Sequence, residues 1–452
     1  MFFENQIRFG LNVIKNPQIF LNIKGLHTID GRYISKWKII PYMAKSLYKF
    51  PGLYRYRIDP GIKGLTELIY LILSAPERVH EMQKKGKIVI GKWAVNPTDL
   101  YYSSGAIALD PFFLSFCYML ATDSNELAIR GRAELSPDAC PAQAAAYIAL
   151  TQNLVHLNCF YPFIGPWCYD SQYCFESLRA KFKGYFGGQP SMPNKGYYKL
   201  TLEYLIGEIK NFYKRVEELT HIPYNPERLR HEFIFENKMR KILREAHHMM
   251  LGDVVPMGSL ELILLTFLAC DWVSDPIAAY EMMELMINDL RKRVKAGVFG
   301  RGVSKNPVRL LISGIAWGDL GVYNIVDDLG GVIIGSECVI STYWKDINNN
   351  PDKDPIEILA ERFMEVPYTY TGQEKAMWTV ENIKQMKNLD GVIININFGC
   401  NYVAANTRIL QDTIKKETGM PVLVIDSDLP GENREQIRTR IGAFIEMIKQ
   451  KK

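Results

Sequence analysis

The stretch Leu389–Leu410, LDGVIININFGCNYVAANTRIL, decides the fold. Within it, Val392 to Ile396 is short, β-branched and apolar apart from Asn395, the composition of a strand buried on both faces. Asn397, Phe398 and Gly399 break the run, Cys400 follows, and the residues from Tyr402 onward read as a helix. A thiol therefore stands where the C-terminal end of a strand meets the N-terminus of a helix. In open α/β sheets that edge is where ligands bind. The helix dipole and the free backbone N–H groups there favour anions and lower a cysteine's pKa.

Around this stretch the second half alternates strand and helix. Val308–Ser313 reads as a strand, followed by the glycine-bearing turn and helix GIAWGDLGVYNIVDDLGG. Gly331–Gly335 is the next strand, with Ser336, Glu337 and Cys338 at its end. Gly391–Ile396 is the third and Met420–Ile425 the fourth, and an amphipathic helix closes the chain from about Arg434. Such alternation predicts a parallel, doubly wound sheet. In the first half, Lys87–Gly91 reads as a strand and Thr98–Ala108 as a helix. The segment SPDACP precedes the alanine-rich AQAAAYIALTQNLV, where Pro141 at the first turn marks a helix start and Cys140 lies just before it. In the loop after that helix, Cys174 immediately precedes FESLRAKF, which reads as a further helix, and Cys168 lies in the same loop. Residues 197–250 and 258–297 are helical in pattern. The expected division is a helical N-terminal extension (1–82), a first α/β lobe (83–220), a helical segment (221–305) and a second α/β lobe (306–452).

Composition narrows the function classes. The chain has 452 residues, 48% hydrophobic and 23% charged, with a formal charge of +5 interspersed along its length. Neither a basic nucleic-acid footprint nor a finger pattern is present. The apolar runs near Leu68–Ala75 and Leu260–Cys270 fall short of the roughly 20 residues a membrane-spanning helix needs. The N-terminal MFFENQIRFGLNVIKN lacks the features of a signal peptide. A soluble, cytoplasmic protein is expected. Its eight cysteines are then reduced, metal-bound or catalytic rather than paired as disulfides.

Cys140, Cys174 and Cys400 share one local design although far apart in sequence. If the two halves face each other, three thiolates around one centre suit an iron–sulfur cluster or zinc. No CxxC pair occurs, and the competing reading is that free cysteines pack as small hydrophobes. That reading is taken for Cys117 and Cys270, inside apolar stretches, and for Cys159. Asp426, Asp428 and Glu432 read as caps of the closing helix, Arg438 and Arg440 as its solvated face, and His156, His247 and His248 as structural. Glu337 and Trp317 lie at strand ends facing the expected cleft and are candidates for substrate contact. No G-x-x-x-x-G-K-[ST] motif is present, so the chain is not expected to hydrolyse ATP itself.

From about residue 85 to 447 the chain resembles the benzoyl-CoA reductase and 2-hydroxyacyl-CoA dehydratase family. The resemblance rests on PTDLYYSSGA, SPDACP before an alanine-rich helix, a cysteine some thirty residues later, RLLISGIAWGDL, GGVIIGSEC, the cysteine after GVIININ, and GMPVLVIDSDLPGENREQIRTRIGAFIEM. It implies two flavodoxin-like lobes and a [4Fe–4S] cluster held by three cysteines, which carry over to Cys140, Cys174 and Cys400, with Cys168 and Cys338 as alternates. One iron is then left open. A low-potential cluster delivers single electrons to an acyl-CoA thioester, giving a ketyl-type radical anion used for ring reduction or for loss of a 2-hydroxyl group. The resemblance further implies a homologous second core subunit and a separate ATPase activator with its own iron–sulfur cluster. The long N-terminal extension and the SPDACP form lean toward the larger core subunit of an arylacyl-CoA (benzoyl-CoA-type) reductase. An (R)-2-hydroxyacyl-CoA dehydratase subunit and a non-catalytic electron-transfer subunit are the rivals.

Overall fold

Two parallel four-stranded sheets carry the chain, and both have the same strand order. In the computed structural model, which describes residues 18–49, 56–93, 96–165, 168–193, 196, 198–314 and 319–451, the first sheet comprises β1 (Val89–Gly91), β2 (Ile107–Leu109), β3 (Cys159–Phe160) and β4 (Tyr185–Phe186). The second comprises β5 (Val308–Gly314), β6 (Gly331–Ser336), β7 (Gly391–Asn397) and β8 (Val422–Ser427). The orders are β2-β1-β3-β4 and β6-β5-β7-β8, with every neighbouring pair parallel. This is the flavodoxin-like order, in which the chain reverses direction across the sheet between its first and third strands. Two α/β lobes of that kind are what the alternation and the resemblance predict.

β7 is buried along its length save for the half-buried Ile396, and it pairs with β5 in the register Leu311↔Val392 to Gly314↔Asn395. A strand in the middle of a parallel sheet has both faces covered, which explains the nearly continuous apolar run. The first sheet is built from strands of two or three residues, too short for periodicity to reveal β3 or β4. The helix expected over Thr98–Ala108 ends at Ser103. Beyond the turn at Ser104-Gly105, Ile107–Leu109 pairs with Val89–Gly91 instead, because sheet pairing outweighs the local helical pattern there. The helical region expected over 258–297 is two helices, Ser259–Thr266 and Pro276–Lys295, interrupted where Asp271 and Asp275 turn their carboxylates onto backbone N–H groups. Ahead of the first lobe, a two-stranded hairpin (Gly25–His27 with Tyr33–Ser35) is followed by the helices Lys36–Lys49 and Leu65–Lys84.

Helices named below are α1 (Glu126–Glu134), α2 (Pro141–Thr151), α3 (Tyr169–Arg179), α4 (Pro226–Met250), α5 (Glu337–Tyr343), α6 (Pro355–Glu365), α7 (Gly372–Gln385) and α8 (Asn401–Thr418). α4 lies between the lobes in sequence and touches both. A buried ion network fixes it there: Arg362 of α6 pairs with Asp99 of the first lobe and with Glu236 of α4, and Glu236 also accepts from Arg240. Among the described residues no helix is long and apolar enough to cross a membrane.

A second buried carboxylate pair contributes to the pH response of the fold. A Cβ on Gly258 would lie 2.6 Å from Glu261 Oε2 and 2.8 Å from Asp327 Oδ2, so the two carboxylates flank that residue. Burial pushes Glu261 up to about 7, with Asp59 adding to the rise. Burial likewise pushes Asp327 up to about 7 against the pull of Ser259, with Glu261 adding. A carboxyl with a raised folded pKa binds its proton more tightly in the fold than in the unfolded chain. Its stabilising effect is full below the unfolded value near 4 and is lost as pH climbs through about 7. Glu261→Gln keeps the acceptor for the Asp59 N–H, 2.6 Å away. It should flatten the fall in Tm between about pH 5 and 8, by up to about 3 kcal/mol in unfolding free energy. Thermal unfolding of both proteins across that range is the check, and equal slopes would refute the assignment.

Candidate functional site at the meeting of three helix starts

Three cysteines occupy the N-cap position of a helix: Cys140 for α2, Cys168 for α3 and Cys400 for α8. Cys168 and Cys400 are topologically equivalent, since each begins the helix that follows the third strand of its lobe. The helix after the first-lobe loop begins at Tyr169, earlier than its sequence indicates. Cys174 is therefore not at a loop-to-helix junction. It lies inside α3, buried in the core, with its Sγ donating to the Gln143 carbonyl at 3.6 Å. The aromatic and charged residues of YDSQYC enter the helix because Asp170 in its first turn and Phe175 against Phe112 and Phe160 supply a favourable start and an apolar face.

The loops carrying these thiols touch. Gly399 has φ +81°, and a Cβ there would come within 2.5 Å of the Asp138 carbonyl oxygen and 2.7 Å of the Cys140 nitrogen. Only glycine fits both the left-handed backbone and the close approach. The Cys140 N–H donates to Asp170 Oδ2 at 2.9 Å, which ties α2 to α3. Burial pushes the Cys140 thiol up to about 12, and a charge on Cys400 raises it further while the Gln143 and Ala142 N–H groups pull it down. Burial raises Cys168 too, with Ser171 opposing and Cys140 and Cys400 adding. At Cys400 the helix start does not lower the thiol as its sequence predicts: burial raises it, outweighing the Val403 N–H and the Lys375 ammonium that act against the rise. The three sulfurs thus lie within one another's electrostatic reach.

Polar groups converge on them. Cys168 Sγ lies 2.8 Å from Ser171 Oγ and 3.7 Å from Gln143 Nε2, while Gln143 Oε1 is buried with no hydrogen-bond partner among the described residues. Lys375, buried in α7, places its ammonium 4.9 Å from the Tyr402 ring centroid and 3.6 Å from Glu337. Glu337 accepts from Ser313 at 2.8 Å and from Thr379 at 3.1 Å. Glu337 stands, as anticipated, at the C-terminal edge of the second sheet, held in a buried network. Trp317 lies outside the described residues.

The other candidates are elsewhere or do other things. Cys338 is buried at the start of α5, and Cys117, Cys159 and Cys270 are core residues. Asp428 does not cap the closing helix. It takes a bidentate pair of bonds from Arg132 of α1, at 2.9 and 2.5 Å, because that guanidinium reaches across from the first lobe. Asp426 and Glu432 are exposed. Arg440 donates to the Val424 carbonyl at 2.6 Å, and Arg438 lies 3.6 Å from Asp328. His156 packs against His80 with the rings tilted, His247 is buried against Trp344, and His248 bonds the Arg244 carbonyl. Sequence reading misses Arg132, Gln143, Asp170 and Lys375. Only Arg132, next to a helical glycine in RGRAEL, carries any local signal.

Among the described residues no group of three or more His, Cys, Asp or Glu is arranged to hold a single metal ion. A bridged iron–sulfur cluster makes a different demand, one thiolate on each of several irons. Thiols at three helix N-termini, with the Gln143 amide and the Ser171 hydroxyl against the sulfur of Cys168, are a donor set that fits such a group. Thiol accessibility separates the second-position candidates. Cys168 and Cys400 are partly exposed whereas Cys174 is 2% exposed. Limited alkylation of the iron-free protein, read by mass spectrometry, should therefore modify Cys168 and Cys400 at least about tenfold faster than Cys174. Equal rates would contradict the placement of α3.

Residues 94–448 match the family model described as 2-hydroxyglutaryl-CoA dehydratase, D-component. The chain is 20% identical over 376 residues to the "Putative dehydratase subunit YjiM" of Escherichia coli K12, covering 82% of this chain and 94% of that protein. It is 21% identical over 348 residues to one of the subunits of benzoyl-CoA reductase from Thauera aromatica, covering 72% of this chain and 76% of that protein. With more than three-quarters of its length matched by one family model and two curated proteins of related kind aligned over most of it, this chain belongs to the 2-hydroxyglutaryl-CoA dehydratase D-component family.

Proposed function

We propose that this chain is the [4Fe–4S]-bearing core subunit of an enzyme that transfers single electrons to an acyl-CoA thioester, with Cys140, Cys168 and Cys400 as the three ligands. At the coarser level it is an enzyme subunit of the acyl-CoA dehydratase or reductase type. The observation that carries the finer reading is the meeting of three cysteine-capped helix starts, two of them at equivalent points of the two lobes. When bound, the cluster supplies low-potential electrons one at a time, with an iron that no cysteine of this set holds.

The remaining roles belong to the chain's own side chains. The first-turn N–H groups of α2 and α8 stabilise negative charge on Cys140 and Cys400. Gln143 and Ser171 donate to the sulfur of Cys168. Lys375, oriented by Glu337 and the Tyr402 ring, keeps a buried positive charge beside Cys400. Preorganised charge of this kind favours the build-up of negative charge on a thioester oxygen brought to the same edge. A homologous second core subunit and a separate ATPase activator with its own cluster complete the proposed assembly.

The family description and the E. coli relative favour loss of a 2-hydroxyl group, and the Thauera relative favours ring reduction. An arylacyl-CoA is kept as the first substrate to try, because both outcomes share the electron-transfer step. Anaerobically purified protein should carry about four irons per chain. Cys140→Ala, Cys168→Ala and Cys400→Ala should each lose most of that iron, and Cys174→Ala should keep it. Iron-free wild type, or iron lost from Cys174→Ala but retained by Cys168→Ala, would overturn the ligand set. The assembled complex offered benzoyl-CoA and a 2-hydroxyacyl-CoA in parallel should turn over one of them, and turnover of neither would refute the activity.

A further inference from the structure

A single guanidinium joins the two loops that carry Cys140 and Cys400. Arg132, whose side chain is 12% exposed, donates from Nε to the Ala139 carbonyl at 2.8 Å, one residue before Cys140. Its two Nη atoms grip Asp428 at the end of β8, in the other lobe. Its carbon centre lies 5.4 Å from the ring centroid of Phe398, two residues before Cys400. The hydrogen bonds to Asp428 hold its positive charge firmly in place. Arg132 is able to be there because α1 and α2 pack with almost no separation: a Cβ on Gly131 would come within 2.0 Å of the Ala144 carbonyl oxygen.

We propose that Arg132 is a positioning residue that sets the separation of the Cys140 and Cys400 sulfurs by clamping both loops to Asp428. It touches neither sulfur. Its planar fork makes three bonds in fixed directions and lies over an aromatic ring, a combination a lysine ammonium cannot reproduce. The proposal builds on the cluster reading, and its test has one arm that depends on that reading and one that does not.

In the iron-free full-length chain, a short bifunctional thiol reagent should join Cys140 to Cys400, identified by peptide mass spectrometry. Arg132→Met should lower that cross-link about tenfold, with Arg132→Lys intermediate. In the anaerobic, iron-loaded protein, Arg132→Met should speed cluster loss to a chelator about tenfold and shift the cluster's EPR spectrum. Arg440→Met serves as the control, since Arg440 bonds the Val424 carbonyl of β8 and, among the described residues, no cysteine-bearing loop. It should leave both readouts at the wild-type level. Should Arg132→Met fold poorly, judged by circular dichroism, Asp428→Asn provides the milder break, keeping the Ala139 bond and weakening the inter-lobe grip. Wild-type cross-linking in both Arg132→Met and Asp428→Asn, or equal losses in Arg440→Met, would overturn the proposal. A changed cross-link in a protein that never binds iron would uphold the clamp and refute the cluster.

Discussion

The two lobes are held face to face by buried charge. Arg362 from the second lobe enters a site where Asp99 of the first lobe and Glu236 of α4 both accept from it, and Arg240 shares Glu236. Burial pushes Asp99 up to about 6, with Arg362 pulling the other way and Glu236 adding to the rise. Such a network adds little over a well-packed apolar alternative, yet removing any one member strands a charge at a cost of roughly 3–5 kcal/mol. What it contributes is geometry. It ties α6 of the second lobe to the first lobe and to α4, and in that arrangement the edges carrying the cysteine-capped helices meet.

That meeting has an electrostatic character. Each thiol is pushed upward by burial and by the neighbouring charges, while helix amides and Lys375 pull down. The balance leaves each thiol above its ordinary pKa, so a soft metal centre, were one bound there, would have to draw protons off thiols the fold has already grouped. The neighbours of the sulfurs are donors (Ser171, Gln143 and first-turn N–H groups) rather than further acids, apart from Asp170 on the Cys140 amide.

Much of the second lobe is legible in the sequence because its strands are six or seven residues long and nearly all apolar, so composition and glycine punctuation reveal them. The first lobe is less so. Its strands are two or three residues long and gain their stability from the sheet, which no local window contains. Cys140 and Cys400 are found through Pro141 and the strand-glycine-cysteine junction, both local signals. The misplaced helix start after Cys168 has a clear cause: FESLRAKF is the more helical-looking part of the segment, but the helix is entered earlier, through Tyr169-Asp170-Ser171. Boundaries are the least local feature of a helix. Arg132–Asp428 and Lys375–Glu337 link residues far apart in the chain, and their pairing is a product of the assembled lobes.

The contact at Gly131 has a mechanical consequence. With the backbones of α1 and α2 pressed together there, the two helices cannot slide or separate independently. Arg132 rides on one and Cys140 begins the other. Any tilt of the second lobe that drags Asp428 is therefore delivered as a rigid swing of the whole helix pair, not as the stretching of one loop. Cys140 caps the second helix of the pair, so its sulfur is carried by two helices packed backbone to backbone and not by a free loop.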